Sequence, residues 1–91
     1  MPEDVDIPAN TSIKRYYSNK KQIRVNVTVT QGTITAELAE KDSSGVYRAV
    51  LTRSASAGGN ITLSQSRTEQ KDWRLRLTGQ GVCDYTVTTT S

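Results

Sequence analysis

Three separated segments of this chain alternate apolar and polar residues with a two-residue period. They are Ile23-Arg24-Val25-Asn26-Val27-Thr28-Val29, Ile34-Thr35-Ala36-Glu37-Leu38 and Trp73-Arg74-Leu75-Arg76-Leu77-Thr78. Successive side chains of a strand point to opposite faces, so each segment has one apolar and one solvated face. A helix would scatter the same residues around its axis. The pattern predicts an antiparallel β domain with a single core. The 91 residues suffice for one domain and are too few for two. A domain this small buries only about 60% of the surface its unfolded chain exposes, so its stability margin is narrow. Only 34% of the residues are hydrophobic and Phe is absent, so core bulk falls to Val, Ile, Leu, Trp73 and the tyrosines.

Residues 1–12 lack periodicity and hold both prolines together with Glu3, Asp4 and Asp6. They are expected to form an extended N-terminal arm, with the sandwich domain occupying 13–91. A short strand is expected from Ile13 to Tyr17, then a polar turn over 18–21. The strand over 22–30 is expected to return through a tight Gln31-Gly32 hairpin into 33–40, because Gly supplies the positive φ such a turn needs. Asp42-Ser43-Ser44-Gly45 reads as a turn. The next strand, 46–53, contains the apolar run Ala49-Val50-Leu51, which suggests cover on both faces. Gly58-Gly59 marks a turn before a short strand carrying Ile61 and Leu63. Residues 65–72 are polar and read as a loop. Strand 73–78 buries Trp73, Leu75 and Leu77, and Gly79-Gln80-Gly81 turns the chain back into 82–89, with Cys83, Tyr85 and Val87 inward. The expected architecture is all-β, a seven- to eight-stranded antiparallel two-sheet sandwich, and a jelly roll is one topology that fits.

The chain contains no His, which excludes Ser-His-Asp and Cys-His nucleophile systems and His-bearing zinc sites. The single Cys83 can form no internal disulfide and reads as a small buried hydrophobe. Calcium needs clustered oxygen ligands at alternating positions. Glu40, Asp42, Ser43 and Ser44 are the nearest candidates, and a plain turn explains them better. No Gly-rich phosphate loop leads into a helix. The expectation is therefore no catalytic residue, no metal and no cofactor. No apolar run is long enough for a transmembrane helix, and no signal-peptide core follows Met1, so membrane insertion is not expected. A virion or an extracellular setting is favoured.

Two positive signals remain. Arg74 and Arg76 share the wet face of one strand, and Arg24 holds the equivalent position on another, so neighbouring strands would make a basic sheet face. Such a face can be merely solvated, or it can meet an acidic protein surface or a polyanionic glycan. Nucleic acid fits least, because no aromatics interleave with the basic residues and the net charge is only +3. The second signal is aromatic. Tyr16 and Tyr17 are adjacent, so one of them faces away from the core, and Tyr47 follows the Asp42 turn. Exposed Tyr serves sugar stacking and interfaces. The Asn-x-Ser/Thr triplets at Asn10, Asn26 and Asn60 carry little weight in a Thr-rich chain.

The carboxyl half, Trp73-Arg74-Leu75-Arg76-Leu77-Thr78-Gly79-Gln80-Gly81 running into Asp84-Tyr85-Thr86-Val87-Thr88, resembles the end of a bacterial pre-peptidase C-terminal-like domain. The Gly32-Thr33-Ile34 step is similar to an earlier part of that family. The resemblance implies a jelly-roll-like sandwich appended to secreted enzymes, with binding or maturation roles and no catalysis of its own. The family's central Asp-rich, calcium-associated strand has no counterpart here.

These features together suggest a non-catalytic structural or assembly module, a small component or decoration protein of a phage or viral particle. Glu3, Asp4 and Asp6 of the arm would dock on the Arg24, Arg74 and Arg76 face of a neighbour, in self-assembly or on a protein partner. The alternative is a carbohydrate-binding or accessory β-sandwich domain of an extracellular enzyme, using Tyr16, Tyr17 and Tyr47 on a glycan.

Overall fold

The computed structural model describes residues 3–91, with side chains from residue 4 onward. Its strands are β1 (Glu3–Ile7), β2 (Ser12–Lys41), β3 (Tyr47–Ser56) and β4 (Asn60–Thr90). All pairings are antiparallel, in the order β1-β4-β2-β3. The chain is one long hairpin. Asp4 lies opposite Asp84, Ile13 opposite Leu77, Lys20 opposite Lys71, Val25 opposite Leu63, and Lys41 opposite Tyr47. Its apex is the Asp42–Gly45 turn anticipated from sequence.

This hairpin is rolled up. A second ladder joins β2 to β4 at a different register, placing Arg24 opposite Thr88, Val29 opposite Cys83, Gly32 opposite Gly81 and Leu38 opposite Leu75. The long strands β2 and β4 bend twice each, and their limbs fall into two layers. One sheet runs β1, 82–90, 22–28, 60–66. The other runs 12–17, 73–78, 33–40, β3. This is the all-β, antiparallel jelly roll expected as one option, with eight strand segments among the described residues.

Between the layers lies one core. Val5, Ile7, Ile23, Val25, Val27, Val29, Ile61, Leu63 and Cys83 come from the first sheet. Ile34, Ala36, Leu38, Trp73, Leu75 and Leu77 come from the second. Apart from Val5 and Ile7, these are the apolar phases of the strands read from sequence. Each fully buried Val, Leu or Ile contributes about 1.5–3 kcal/mol relative to exposure. Burial pushes the Cys83 thiol above its ordinary pKa, as suits a small buried hydrophobe. Among the described residues no helix is long and apolar enough to cross a membrane.

Several local expectations are corrected. Residues 22–28 and 33–40 do not pair with each other, so Gln31-Gly32 is no hairpin but a corner where β2 passes from one sheet to the other. Gly79-Gln80-Gly81 is the matching corner of β4. The polar stretch 65–72 is extended, not a loop, and so is 18–21, where Asn19 takes a positive φ of 60° at the bend. Both were misread because their bonds run to residues distant in sequence. The Ala49-Val50-Leu51 run is not covered on both faces: Ala49 is exposed. The register skips Val50 between the Leu38–Leu51 and Ala39–Ala49 pairs, which is a β-bulge on an edge strand. The stretch anticipated as an arm contributes β1, an edge strand whose Val5 and Ile7 enter the core.

The apex turn is held by one carboxylate. Asp42 Oδ1 accepts from the Ser44 N–H at 2.9 Å, the Ser44 hydroxyl at 2.6 Å and the Val46 N–H at 3.0 Å. Its Oδ2 accepts from Arg48 Nε at 2.6 Å. With both oxygens engaged this is the plain turn expected, and the donors hold the Asp42 carboxyl well below the usual carboxylate range. A depressed native pKa contributes stability above the unfolded value of about 3.9, lost as pH falls toward the native value. Asp42→Asn should therefore flatten the acid limb of stability below about pH 4, measured as urea midpoint against pH. An unchanged slope would show that the turn carboxylate is not coupled to folding.

Candidate functional site

The outward residues of the second sheet form registered rows. One row reads Tyr16, Arg74, Ala39, Ala49; the next reads Lys14, Arg76, Glu37, Thr52; a third reads Ser12, Thr78, Thr35, Ser54. Tyr47 stands beside Lys41 at the end of the face. The two alanines matter because they leave space above the sheet. Tyr47 leans across it to meet Tyr16 edge-on, with ring centroids 5.6 Å apart. The Arg74 guanidinium carbon lies 5.5 Å from the Tyr47 centroid, and Lys41 Nζ 6.0 Å from it. Ala39 faces outward yet is 0% exposed and stands apart from the cluster packed between the sheets, in keeping with the side chains crossing above it. Tyr16 remains 58% exposed on top of this crossing.

Glu37 organises the cations. Its Oε1 accepts from Arg74 Nη2 at 3.0 Å, and its Oε2 lies 3.9 Å from Arg76 Nη2. The first contact is a charge-assisted hydrogen bond, and the second is a loose ion pair. The Nε atoms of both arginines are buried without an acceptor. Beyond Arg76 the face sinks into an open depression of about 520 Å³, lined by Ala9, Asn10, Thr11, Ser12, Arg76, Thr78 and Gly79. Chemically, the face offers an exposed aromatic platform, two guanidinium groups, a carboxylate and a fringe of hydroxyls. Among the described residues no three His, Cys, Asp or Glu side chains converge as a metal-binding group.

The fold brings together Tyr16, Tyr47, Arg74 and Arg76 from the sequence-derived candidates. It separates the rest. Arg24 pairs with Ser64 and Thr88 in the other sheet, so it points away on the opposite side of the sandwich and shares no face with Arg74 and Arg76. Tyr17 points inward and is half-buried; burial and the neighbouring Tyr85 raise its hydroxyl pKa. Arg15 Nε donates to the Tyr85 hydroxyl at 3.1 Å, bridging the two sheets there. Asp4 and Asp6 are exposed on β1, beside Asp84, on the outer side of the first sheet. The Glu3 side chain lies outside the described residues. Sequence reasoning missed Glu37, Lys41 and the hydroxyls of Ser12 and Thr78. The alternation placed Glu37 outward, but only the register puts it between two arginines.

Neither a protein-family model nor a curated protein sequence matches the chain. Solved structures do match its fold. The mitogen derived from Yersinia pseudotuberculosis is similar at TM-score 0.66 and 8% identity, over 99% of this chain and 83% of that one. PirA is similar at TM-score 0.65 and 10% identity, over 97% of this chain and 92% of its own. The CBM4 structure is similar at TM-score 0.52 and 8% identity, over 94% of this chain and 67% of that one. At such identities the likeness is one of fold alone. It agrees with the β-sandwich implied by the pre-peptidase C-terminal-like resemblance, a family whose model does not match this chain.

Proposed function

We propose that this chain is a non-catalytic binding module that takes carbohydrate on the outer face of its second sheet. The observation that carries this reading is the Tyr16–Tyr47–Arg74 crossing above Ala39. An aromatic ring exposed over a polar sheet, with a carboxylate and guanidinium groups alongside, supplies what a sugar needs. Its C–H face stacks on the ring and its hydroxyls meet charged hydrogen-bonding partners. CBM4, a carbohydrate-binding module, has a similar fold, which supports this reading. A glycan array followed by calorimetry tests the reading. Tyr16→Ala should weaken the best glycan about tenfold, or about 1.4 kcal/mol, with the fold intact. An array without hits, or a Tyr16→Ala variant that binds unchanged, would refute it.

A second reading keeps the assembly role, as a component of a larger particle of phage or viral type. The observation favouring it is charge. Asp4, Asp6 and Asp84 edge the outer side of one sheet, while Lys14, Arg74 and Arg76 lie on the outer side of the other. Copies could therefore stack head to tail without any free arm. This reading expects oligomers that dissociate with added salt in light scattering. A monomer at all concentrations and ionic strengths removes self-stacking.

A further inference from the structure

We propose that the ligand of this face is an acidic glycan, a hexuronate-bearing oligosaccharide whose carboxylate sits against Arg76 at the mouth of the neighbouring depression. This rests on the carbohydrate reading of the face and names its substrate class.

The face carries an excess of positive charge that its own carboxylates do not neutralise. Lys14, Lys41, Arg74 and Arg76 stand against Glu37 and Asp72. Asp72 lies 3.9 Å from Lys41, and Glu37 hydrogen-bonds Arg74 at 3.0 Å. Arg76 is left with the 3.9 Å contact alone, its side chain 39% exposed, and Lys14 makes no ion pair among the described residues. The two lie opposite each other on adjacent limbs, so their charges reinforce at one spot. A guanidinium held by one loose ion pair still presents a planar fork of N–H donors that matches a carboxylate better than it matches a sugar hydroxyl.

The depression beside Arg76 supplies the rest. At about 520 Å³ it lies within the usual size of small-ligand sites. Its polar groups are of the kind that meet sugar hydroxyls: the Asn10 amide and the Thr11, Ser12 and Thr78 hydroxyls. Thr11 Oγ1 already donates to Pro8 O at 2.6 Å, which leaves its oxygen as an acceptor. Tyr16 stands two residues beyond Lys14 on the same limb, about 7 Å along the strand. One oligosaccharide can thus stack a ring on Tyr16 and place a neighbouring unit's carboxylate over Arg76 and Lys14.

Calorimetric titration with galacturonate and glucuronate oligosaccharides, their methyl esters, sulfated oligosaccharides and neutral gluco-oligosaccharides tests this. The acids should bind, and the esters at least tenfold more weakly. Affinity for the acids should fall with added salt. Arg76→Ala and Lys14→Ala should each cost several-fold more on the acids than on the esters, and Arg76→Lys should not restore the loss. Esters or neutral sugars that bind as well as the acids would overturn the inference and leave the carbohydrate reading standing. Binding restricted to sulfated glycans would overturn the carboxylate assignment. Failure of every glycan would overturn both.

Discussion

Replacing Gly32 with Ala is expected to remove a large share of the domain's folding stability. A Cβ built on Gly32 would lie 2.0 Å from the Gln80 carbonyl oxygen, and one on Gly81 2.0 Å from that of Gln31. These residues face each other in the ladder at the corner where both long strands change sheets. The backbones approach so closely that no side chain fits between them, and Gly32 also holds a positive φ of 70°. The neighbouring atoms are backbone and cannot swing aside. We expect a cost of at least about 4 kcal/mol, in the range where only severe mechanisms operate. A domain of this size has about 0.05–0.15 kcal/mol per residue to lose. Gly58→Ala is the comparison. Its φ is +88°, but nothing lies within 4 Å of the added Cβ, so only conformational strain of about 1–2 kcal/mol is expected. Urea denaturation followed by circular dichroism separates the two. Equal losses would show that the corner is not held by close approach.

The second large effect is expected at Trp73. It is the largest fully buried side chain, at 0% exposure. Its Nε1–H donates to the Lys20 carbonyl at 2.9 Å, and the Arg67 guanidinium carbon lies 5.5 Å from its ring centroid. Arg67 is held there by Glu40 Oε2 at 2.9 Å and Gln65 Oε1 at 2.8 Å. Trp73→Ala removes the core volume and the donor together and frees the charged cover. The expected loss is about 3–5 kcal/mol. At about 4–8 °C per kcal/mol for a domain of this size, the melting temperature should fall by well over 10 °C. Trp73→Phe keeps most of the volume and removes the N–H, so it should cost about 1–3 kcal/mol, the price of leaving the Lys20 carbonyl unpaired. If the Phe variant is as damaged as the Ala variant, the hydrogen bond and not the volume dominates.

Alternation alone was enough to assign the inward and outward faces of the strands. Val25, Val27, Leu75 and Leu77 lie inward and Arg24, Arg74 and Arg76 outward, because strand geometry leaves a side chain only two directions. The same rule made the all-β class legible, and it placed Trp73 and Cys83 inside. The Asp42 turn was legible too, since an Asx turn closes on donors within a few residues of its carboxylate.

Tertiary structure decided which strands are neighbours. Gln31-Gly32 and Gly79-Gln80-Gly81 look locally like hairpin turns, and Gly32 and Gly79 hold the positive φ such turns use. Whether such a turn folds a strand back on itself or carries it to the other sheet depends on bonds to residues some fifty positions away, as between Gly32 and Gly81. Residues 65–72 and β1 were misjudged for the same reason, because neither has a partner nearby in sequence. The binding face depends on that register as well. Period-two alternation fixes the face of a residue within its own sheet and says nothing about which sheet it joins. Arg24 was therefore free to fall on the opposite side of the sandwich from Arg74, while Tyr16 and Tyr47, from opposite edges of one sheet, met over two alanines.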